Sequence, residues 1–364
     1  MILFADNFQQ YASLSNMLNG VYAQAANSYN GSDPPSLATD PDPLAGGNQV
    51  LRFSASGAST GEQFHSMVRY VLPAEQATVG TAFRLWMDRL PSVQDETFII
   101  TFRDANNISQ CFICVTTTGA IAAYRGAPNP VSSQTLLGQT SIPVLPSNAW
   151  NHVEVKVNIH DTAGTVQVYV NGILRLNLSS LDTKATSLTT CAQIGYQSSH
   201  YLHTKIYATL KDLVVWDTTG SQNNDFIGDV NVYTLRPSAD STLNWTPSTG
   251  ATGYNLIDDT TTDDTDYIST STATDSVFEL TDVPGSYVAI KALVTFARMS
   301  KSDGGAANVQ VGLQSGATED TGTNWPVTTA ATYWYDVSEL DPNTSTAWTP
   351  TSTNAAKIRL NRTA

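Results

Sequence analysis

Residues 149–172 read AWNHVEVKVNIHDTAGTVQVYVNG, and their alternation decides the fold class. Val153, Val155, Val157 and Ile159 fall on one face, with His152, Glu154, Lys156 and Asn158 on the other. Successive strand side chains point to opposite faces, so this is the pattern of a half-buried strand. Val166, Val168 and Val170 answer across HDTAG, whose terminal Gly suits a five-residue hairpin connection.

The same period of two recurs outward from this hairpin. Phe83, Leu85 and Met87 alternate with Arg84 and Trp86, and Phe98, Ile100 and Phe102 alternate in TFIITFRD. Leu174, Leu176 and Leu178 continue the pattern, followed by QIGY (193–196) and KDLVVWD (211–217). Short strands punctuated by Gly, Pro and Asn predict a sandwich or jelly roll. A short helix or turn is expected over 13–24, and a Pro/Gly-punctuated surface loop over 31–47. After Trp216 comes DTTGSQNND, apolar-free and suited to a linker. A second alternating set follows in VNVYTL (230–235), YNLI (254–257), SVFEL (276–280), YVAIKALVTFARM (287–299), NVQVGL (308–313), YWYDV (333–337) and AKIRL (356–360). The expectation is an all-β chain: a jelly roll over 1–218, a linker over 219–226 and a second β-sandwich over 227–364.

Composition narrows the function classes. The chain has 364 residues, a formal net charge of −14 and 41 % hydrophobic residues, so it can bury cores and is not an acidic disordered tail. That charge argues against a nucleic-acid partner, which demands a Lys/Arg surface. No window approaches 18 apolar residues, so no membrane insertion is expected. MILFADNF has no basic start and no long apolar run, so a cleaved signal peptide is not expected. Three cysteines cannot close a disulfide framework, and Cys111 and Cys114 would point to opposite faces of one strand.

W-N-H-V-E-V-K-V…G-T-V-Q-V-Y-V-N-G, with LKDLVVWD (210–217) and LFADNFQQY (3–11), resembles the concanavalin A-like, laminin-G-type jelly roll over roughly residues 1–217. NDFIGDVNVYTLRPSAD (224–240), LNWTPSTG (243–250) and DPNTSTAWTPTSTNAAKIRL (341–360) resemble a segment of tailed-bacteriophage structural proteins. The resemblance implies a non-enzymatic virion protein of a phage tail fibre, tail tip or head surface, made in the host cytoplasm. Its implied partners are further copies of itself, other virion proteins and a host cell-surface glycan. A capsid decoration, head-fibre or collar protein with a purely architectural role is the alternative, and a glycan depolymerase stands behind both.

No complete catalytic set is legible. Jelly-roll glycosidases carry E-x-D-x-x-E on one strand; no Glu here starts that pattern, and Glu154 is followed by Lys156. No G-x-S-x-G elbow is present. His200 and His203 have the wrong spacing for joint metal ligation on a strand, and surface or edge positions are expected for these and for His65, His152 and His160. No cofactor is expected. The run Asp258, Asp259, Asp263, Asp264, Asp266 raises a structural calcium, but the EF-hand spacing is missing, and Asp161 matches no full ligand set. A solvated hairpin tip is the simpler reading of the run. Glycan binding would need exposed aromatics near polar groups, and Trp86, Tyr124, Tyr196 and Tyr201 are the candidates. Trp86, on the polar face with Arg84 and Asp88, reads either as a platform or as a side chain packed under a neighbouring loop or subunit. Trp245, Trp325, Trp334 and Trp348 suit a subunit interface.

Overall fold

The computed structural model describes residues 1–18, 21–24, 35–41, 48–54, 63–92, 97–128, 134–201, 206–285, 287 and 289–364, with backbone only for 54, 63–65 and 199–201. The chain divides into two compact units: Met1, Leu3–Phe8 and Tyr22–Val232, then Ile2, Gln9–Val21 and Tyr233–Ala364. The stretch expected as a linker, 219–226, lies inside the first unit. Among the described residues, no helix is long and apolar enough to cross a membrane.

The first unit is a sandwich of two antiparallel sheets. One runs, strand by strand, Ile173–Leu181, Gly164–Val170, Asn151–Asn158, Thr78–Met87, Tyr207–Asp217, Gln49–Ser54 and Ser36–Thr39, with Ile2–Asp6 also pairing Tyr207–Asp217. The other runs Thr135–Gln139, Ile121–Arg125, Ser109–Val115, Thr97–Arg103, Cys191–Tyr201, Gln63–Gln76 and Tyr22–Gln24. The opening hairpin pairs Val153 with Val170, Val155 with Val168 and Val157 with Val166, and all six valines are buried. Phe83 of the eight-stranded sheet meets Phe98 and Tyr196 of the seven-stranded one at 5.8 and 5.9 Å. Phe4 stacks on Tyr70 at 4.7 Å. Such aromatic pairs contribute about 0.5–1.5 kcal/mol each beyond burial of their area. Cys111 lies opposite Phe102 in the core, and Cys114 lies opposite Ile99 on the other face.

The second unit is also all-β. Its six-stranded sheet runs Pro237–Thr242, Thr274–Leu280, Lys357–Arg362, Asn308–Ser315 and Thr318–Asp320, with Asn324–Pro326 also pairing Asn308–Ser315. A separate ribbon pairs Leu293–Met299 with Thr332–Ser338. Ala297 and Met299 of the ribbon pack on a core of Trp245, Phe278, Val309, Val311 and Leu360 from the sheet side. Trp245 and Trp348 are therefore core residues, each donating its indole N–H to a backbone carbonyl, Thr274 O at 3.1 Å and Ser338 O at 3.0 Å.

Two expected strands are not strands. Residues 230–235 are irregular, and Val232 N instead donates to Asp212 Oδ1 at 3.0 Å. Tyr254–Leu256 is a 3-10 turn, because the Asp240 carboxylate accepts from Gly253 N at 2.9 Å and Tyr254 N at 2.7 Å. A carboxylate offering itself to consecutive backbone N–H groups competes with ladder formation. In 287–299, only Leu293–Met299 forms a strand. The expected short helix is present as Leu14–Leu18.

Candidate functional site

The outer face of the eight-stranded sheet carries the polar side of the opening hairpin, and half of it is closed. Residues 225–232 cross it as a strap. Lys156 Nζ pairs with Asp225 Oδ1 at 2.6 Å and lies 4.6 Å over the Phe226 ring. Glu154 Oε1 accepts from Ile227 N at 2.9 Å and Gly228 N at 3.0 Å. Arg84 pairs with Asp229 at 2.6 Å and with Asp212 at 3.3 Å. Phe226 packs between Tyr169, at 4.5 Å, and Trp216, at 6.1 Å. The Trp216 indole lies flat on Gly80, where any Cβ would collide with the ring. His152 is buried under this layer, and neither of its ring nitrogens has a partner. Burial pushes its pKa down to about 4, with Asp229 opposing and Arg84 adding to the shift. Burial also raises the Asp212 carboxyl, against the Val232 N–H and Arg84, which lower it.

The other half of the same face is a mixed aromatic and charged patch. Thr209 lies between Trp86 and Arg52 in the strand register, and Lys211 lies opposite Arg84. Trp150, immediately before its strand, meets Trp86 edge to face at 5.9 Å. Its Nε1 donates to Asp40 Oδ1 at 3.1 Å. Lys211 Nζ pairs with Asp40 Oδ2 at 2.7 Å and sits 4.2 Å over the Trp150 ring. Arg52 lies 5.7 Å over the ring of Tyr207, whose backbone N–H donates to Asp88 Oδ1 at 2.9 Å. Trp86, Trp150, Lys211, Arg52 and Tyr207 are all half-buried, so each keeps surface in water. Asp40 locks one indole and the ammonium, which reduces the rotamer entropy that ligand binding would otherwise cost. Half-exposed indoles beside fixed cations and a carboxylate can take the apolar face of a sugar ring and its hydroxyls together.

The four residues expected to bind a ligand do not converge. Trp86 belongs to the patch just described. Tyr124 lies on the outer face of the opposite sheet, stacked on Phe112 at 5.0 Å with an interplanar angle of 12°. Tyr196 is a correction: it is wholly buried between the sheets, and its hydroxyl exchanges a 2.7 Å hydrogen bond with Thr81 Oγ1. Its register partners Val68 and Ile100 put it on the core parity of its strand. The Tyr201 backbone ends the strand Cys191–Tyr201; its side chain lies outside the described residues, as do those of His65 and His200 and the whole of His203. His152 is likewise buried where an edge or surface position is expected. The sequence reading missed Trp150, Lys211 and Asp40 as partners of Trp86. Trp150 at the mouth of the hairpin is a visible signal; Asp40, distant in sequence, is not.

Among the described residues, no group of three or more His, Cys, Asp and Glu side chains is placed to hold a metal ion. In the acidic run, Asp264 is taken by Arg298, at 2.7 Å to both Nε and Nη2. Asp161 lies 3.7 Å from Lys184 Nζ.

No family model matches the chain, and no curated protein matches it. Among solved structures, the chain is similar to a carbohydrate-binding module, CBM66, from Bacillus subtilis, at 8% identity and a TM-score of 0.31, covering 54% of this chain and 94% of that one. It is similar to the cellulose-induced protein Cip1 at 13% identity and a TM-score of 0.40, covering 62% and 100%. It is similar to the lectin UEA-II, complexed with galactose, at 11% identity and a TM-score of 0.36, covering 59% and 98%. None of the three is near enough to bring a function with it.

Proposed function

We propose that the first unit is a non-catalytic glycan-binding module and that the chain is displayed on a phage virion as a homo-oligomer. The single observation that supports binding is the half-exposed Trp86–Trp150 pair held by Asp40 and Lys211. Trp86 supplies the ring face, Trp150 the wall beside it, and Lys211, Arg52 and Tyr207 the polar groups at its edge. Display on a virion is supported by the likeness of 224–240, 243–250 and 341–360 to tailed-phage structural proteins. No catalytic role is proposed for this patch: a hydrolase of this type uses two carboxyl groups across the scissile bond, and Asp40 is committed to Trp150 and Lys211.

A glycan array probed with the full chain and with Trp86→Ala tests the binding. Trp86→Ala is expected to weaken the strongest signals about tenfold, as loss of a stacked ring in a polar setting does. An unchanged array, or one with no host polysaccharide bound, would sink the glycan reading and leave an architectural role. Immunogold labelling of intact particles tests the location, and absence of the protein from virions would overturn it. Incubation with host capsule or lipopolysaccharide, followed by reducing-end measurement, should release nothing.

A further inference from the structure

The strap lies on the eight-stranded sheet without joining it. Among the described residues, 225–231 make no backbone–backbone hydrogen bond. Side chains hold them instead. Glu154 takes the N–H groups of Ile227 and Gly228, Phe226 fills the slot between Tyr169 and Trp216, and Ile227 is buried. The ion pairs of Lys156 with Asp225 and of Arg84 with Asp229 add little, because both aspartates are exposed. Gly228 has a φ of +80°, which turns the chain between the Phe226 and Asp229 contacts at no steric cost. The far end is pinned: Val232 N donates to Asp212 Oδ1 at 3.0 Å, and Val232 O accepts from Asn7 Nδ2 at 3.1 Å. A segment with few apolar contacts and no ladder opens before the sheet beneath it.

Closing the strap strands polar atoms. Beneath it, both ring nitrogens of His152 and Trp216 Nε1 are buried with no hydrogen-bond partner among the described residues. Buried polar groups without partners cost stability, and water can satisfy all three once the strap lifts. His152 lies opposite Arg84 in the strand register. The charged and titratable groups around it are Glu154 on its own strand, Tyr169 on one side, Arg84, Lys211 and Asp212 on the other, and Asp229 above. Burial, with Asp229 opposing and Arg84 adding, holds the covered imidazole at about 4. In water it titrates near 6.5, so below that pH an open strap takes up a proton that the closed one refuses. Asp212 works the other way, since burial raises its carboxyl, but it sits at the pinned end. Asp225, held low by Lys156, loses its pairing only below the ordinary carboxylate range.

We propose that residues 225–231 are an acid-released cover over one half of the glycan-binding face, lifted when His152 takes up a proton. The regulation rests on the glycan reading of the Trp86 patch. The covered half carries the same chemistry as the open half: Trp216, Tyr169 and Lys156 under the strap, Trp86, Trp150 and Lys211 beside it. His152 and Arg84 join the two halves. Trp150 stands two residues before His152 on one side, and Trp86 two residues after Arg84 on the next strand. Phe226 occupies the slot in which a sugar ring would meet Tyr169 and Trp216. Trp86 and Gly80, which lies under the Trp216 ring, are six residues apart on one strand, roughly 20 Å. Opening therefore makes room for a longer glycan.

Hydrogen exchange of the full chain at pH 7 and pH 5, read as protection relative to the unfolded rate at each pH, tests the release. Ile227 and Gly228 should be less protected than the sheet amides of Asn151–Asn158 at both pH values. Their protection should fall about twentyfold from pH 7 to pH 5, the ratio set by an imidazole that titrates near 4 when covered and near 6.5 when open. His152→Phe should abolish that fall. Phe226→Ala should lower the protection at pH 7 and keep the fall, which holds the test open if His152→Phe does not fold. Protection equal to that of the sheet, no fall with pH, or the same fall in His152→Phe would each overturn the release. The glycan array repeated at pH 5 reads the consequence: longer glycans should gain several-fold over shorter ones, and not in His152→Phe. Equal array signals at the two pH values beside a shifted exchange would overturn the regulation. An array blank at both, with the exchange shifted, would leave the release standing and sink the glycan reading instead.

Discussion

At position 152 the fold holds an imidazole neutral. His152 is 1% exposed, and its pKa is pushed to about 4. In the unfolded chain an imidazole titrates near 6.5, so above that pH neither state is charged and the residue adds no pH dependence. As pH falls from about 6.5 to about 4, the unfolded chain takes up a proton that the native one refuses, and stability is lost. At pH 5 the loss amounts to roughly 2 kcal/mol, from 1.5 pH units at 1.36 kcal/mol each. His152→Phe removes it. Urea unfolding at pH 7 and pH 5 should show the gap between the two shrink by that amount, and an unchanged gap would refute the assignment. The residue scale is also where parity misleads. Tyr124 and Tyr196 are both strand tyrosines near small or polar neighbours, yet one keeps surface in water and the other fills the core. Alternation tells which residues share a face; it does not tell which face a second sheet will cover.

The strap over residues 225–232 shows how an element can begin where a polar sequence ends. DTTGSQNND (217–225) lacks apolar residues and reads as a linker, but its last residue, Asp225, meets Lys156, and just beyond it Phe226 enters an aromatic slot and Asp229 meets Arg84. His152, Glu154 and Lys156 were legible as the polar face of a strand. The anchoring by Glu154 and Lys156 was not, because their partners lie about 70 residues away in the chain. Glu154→Ala would leave two backbone N–H groups without their acceptor, at roughly 1–3 kcal/mol each less what water recovers. The expected result is a loss of about 2–4 kcal/mol in global stability. Faster hydrogen exchange at Ile227 and Gly228 should precede it, and protection at those amides equal to the parent's would contradict the anchoring role. The hairpin, the Phe83 strand and the Phe98 strand were legible because period two needs only local side-chain chemistry. The 230–235 and 254–257 segments alternate but are not strands: Asp212 takes the Val232 N–H, and Asp240 takes the N–H groups of Gly253 and Tyr254.

For the whole molecule, the contiguous domain division expected from composition differs from the units the chain forms. Residues Gln9–Val21 belong with Tyr233–Ala364, and the buried Tyr11 ring meets Tyr333 edge to face at 5.1 Å. Tyr11→Ala should therefore destabilise the second unit by about 3–5 kcal/mol, as removal of a buried aromatic does. Hydrogen exchange over Leu293–Met299 and Thr332–Ser338 reads this directly; acceleration confined to the first unit's strands would argue against it. The sequence by itself determined that the chain is all-β, that the 149–172 hairpin feeds a sandwich core, and which side chains on each strand share a face. Alternation of apolar and polar residues is a local property, and desolvation of the apolar side follows from it. Tertiary structure decided which outer surface is closed by the strap, which aromatic is buried, and which side chains gather around Trp86. Those outcomes depend on pairings between residues far apart in the chain, and no periodicity encodes them.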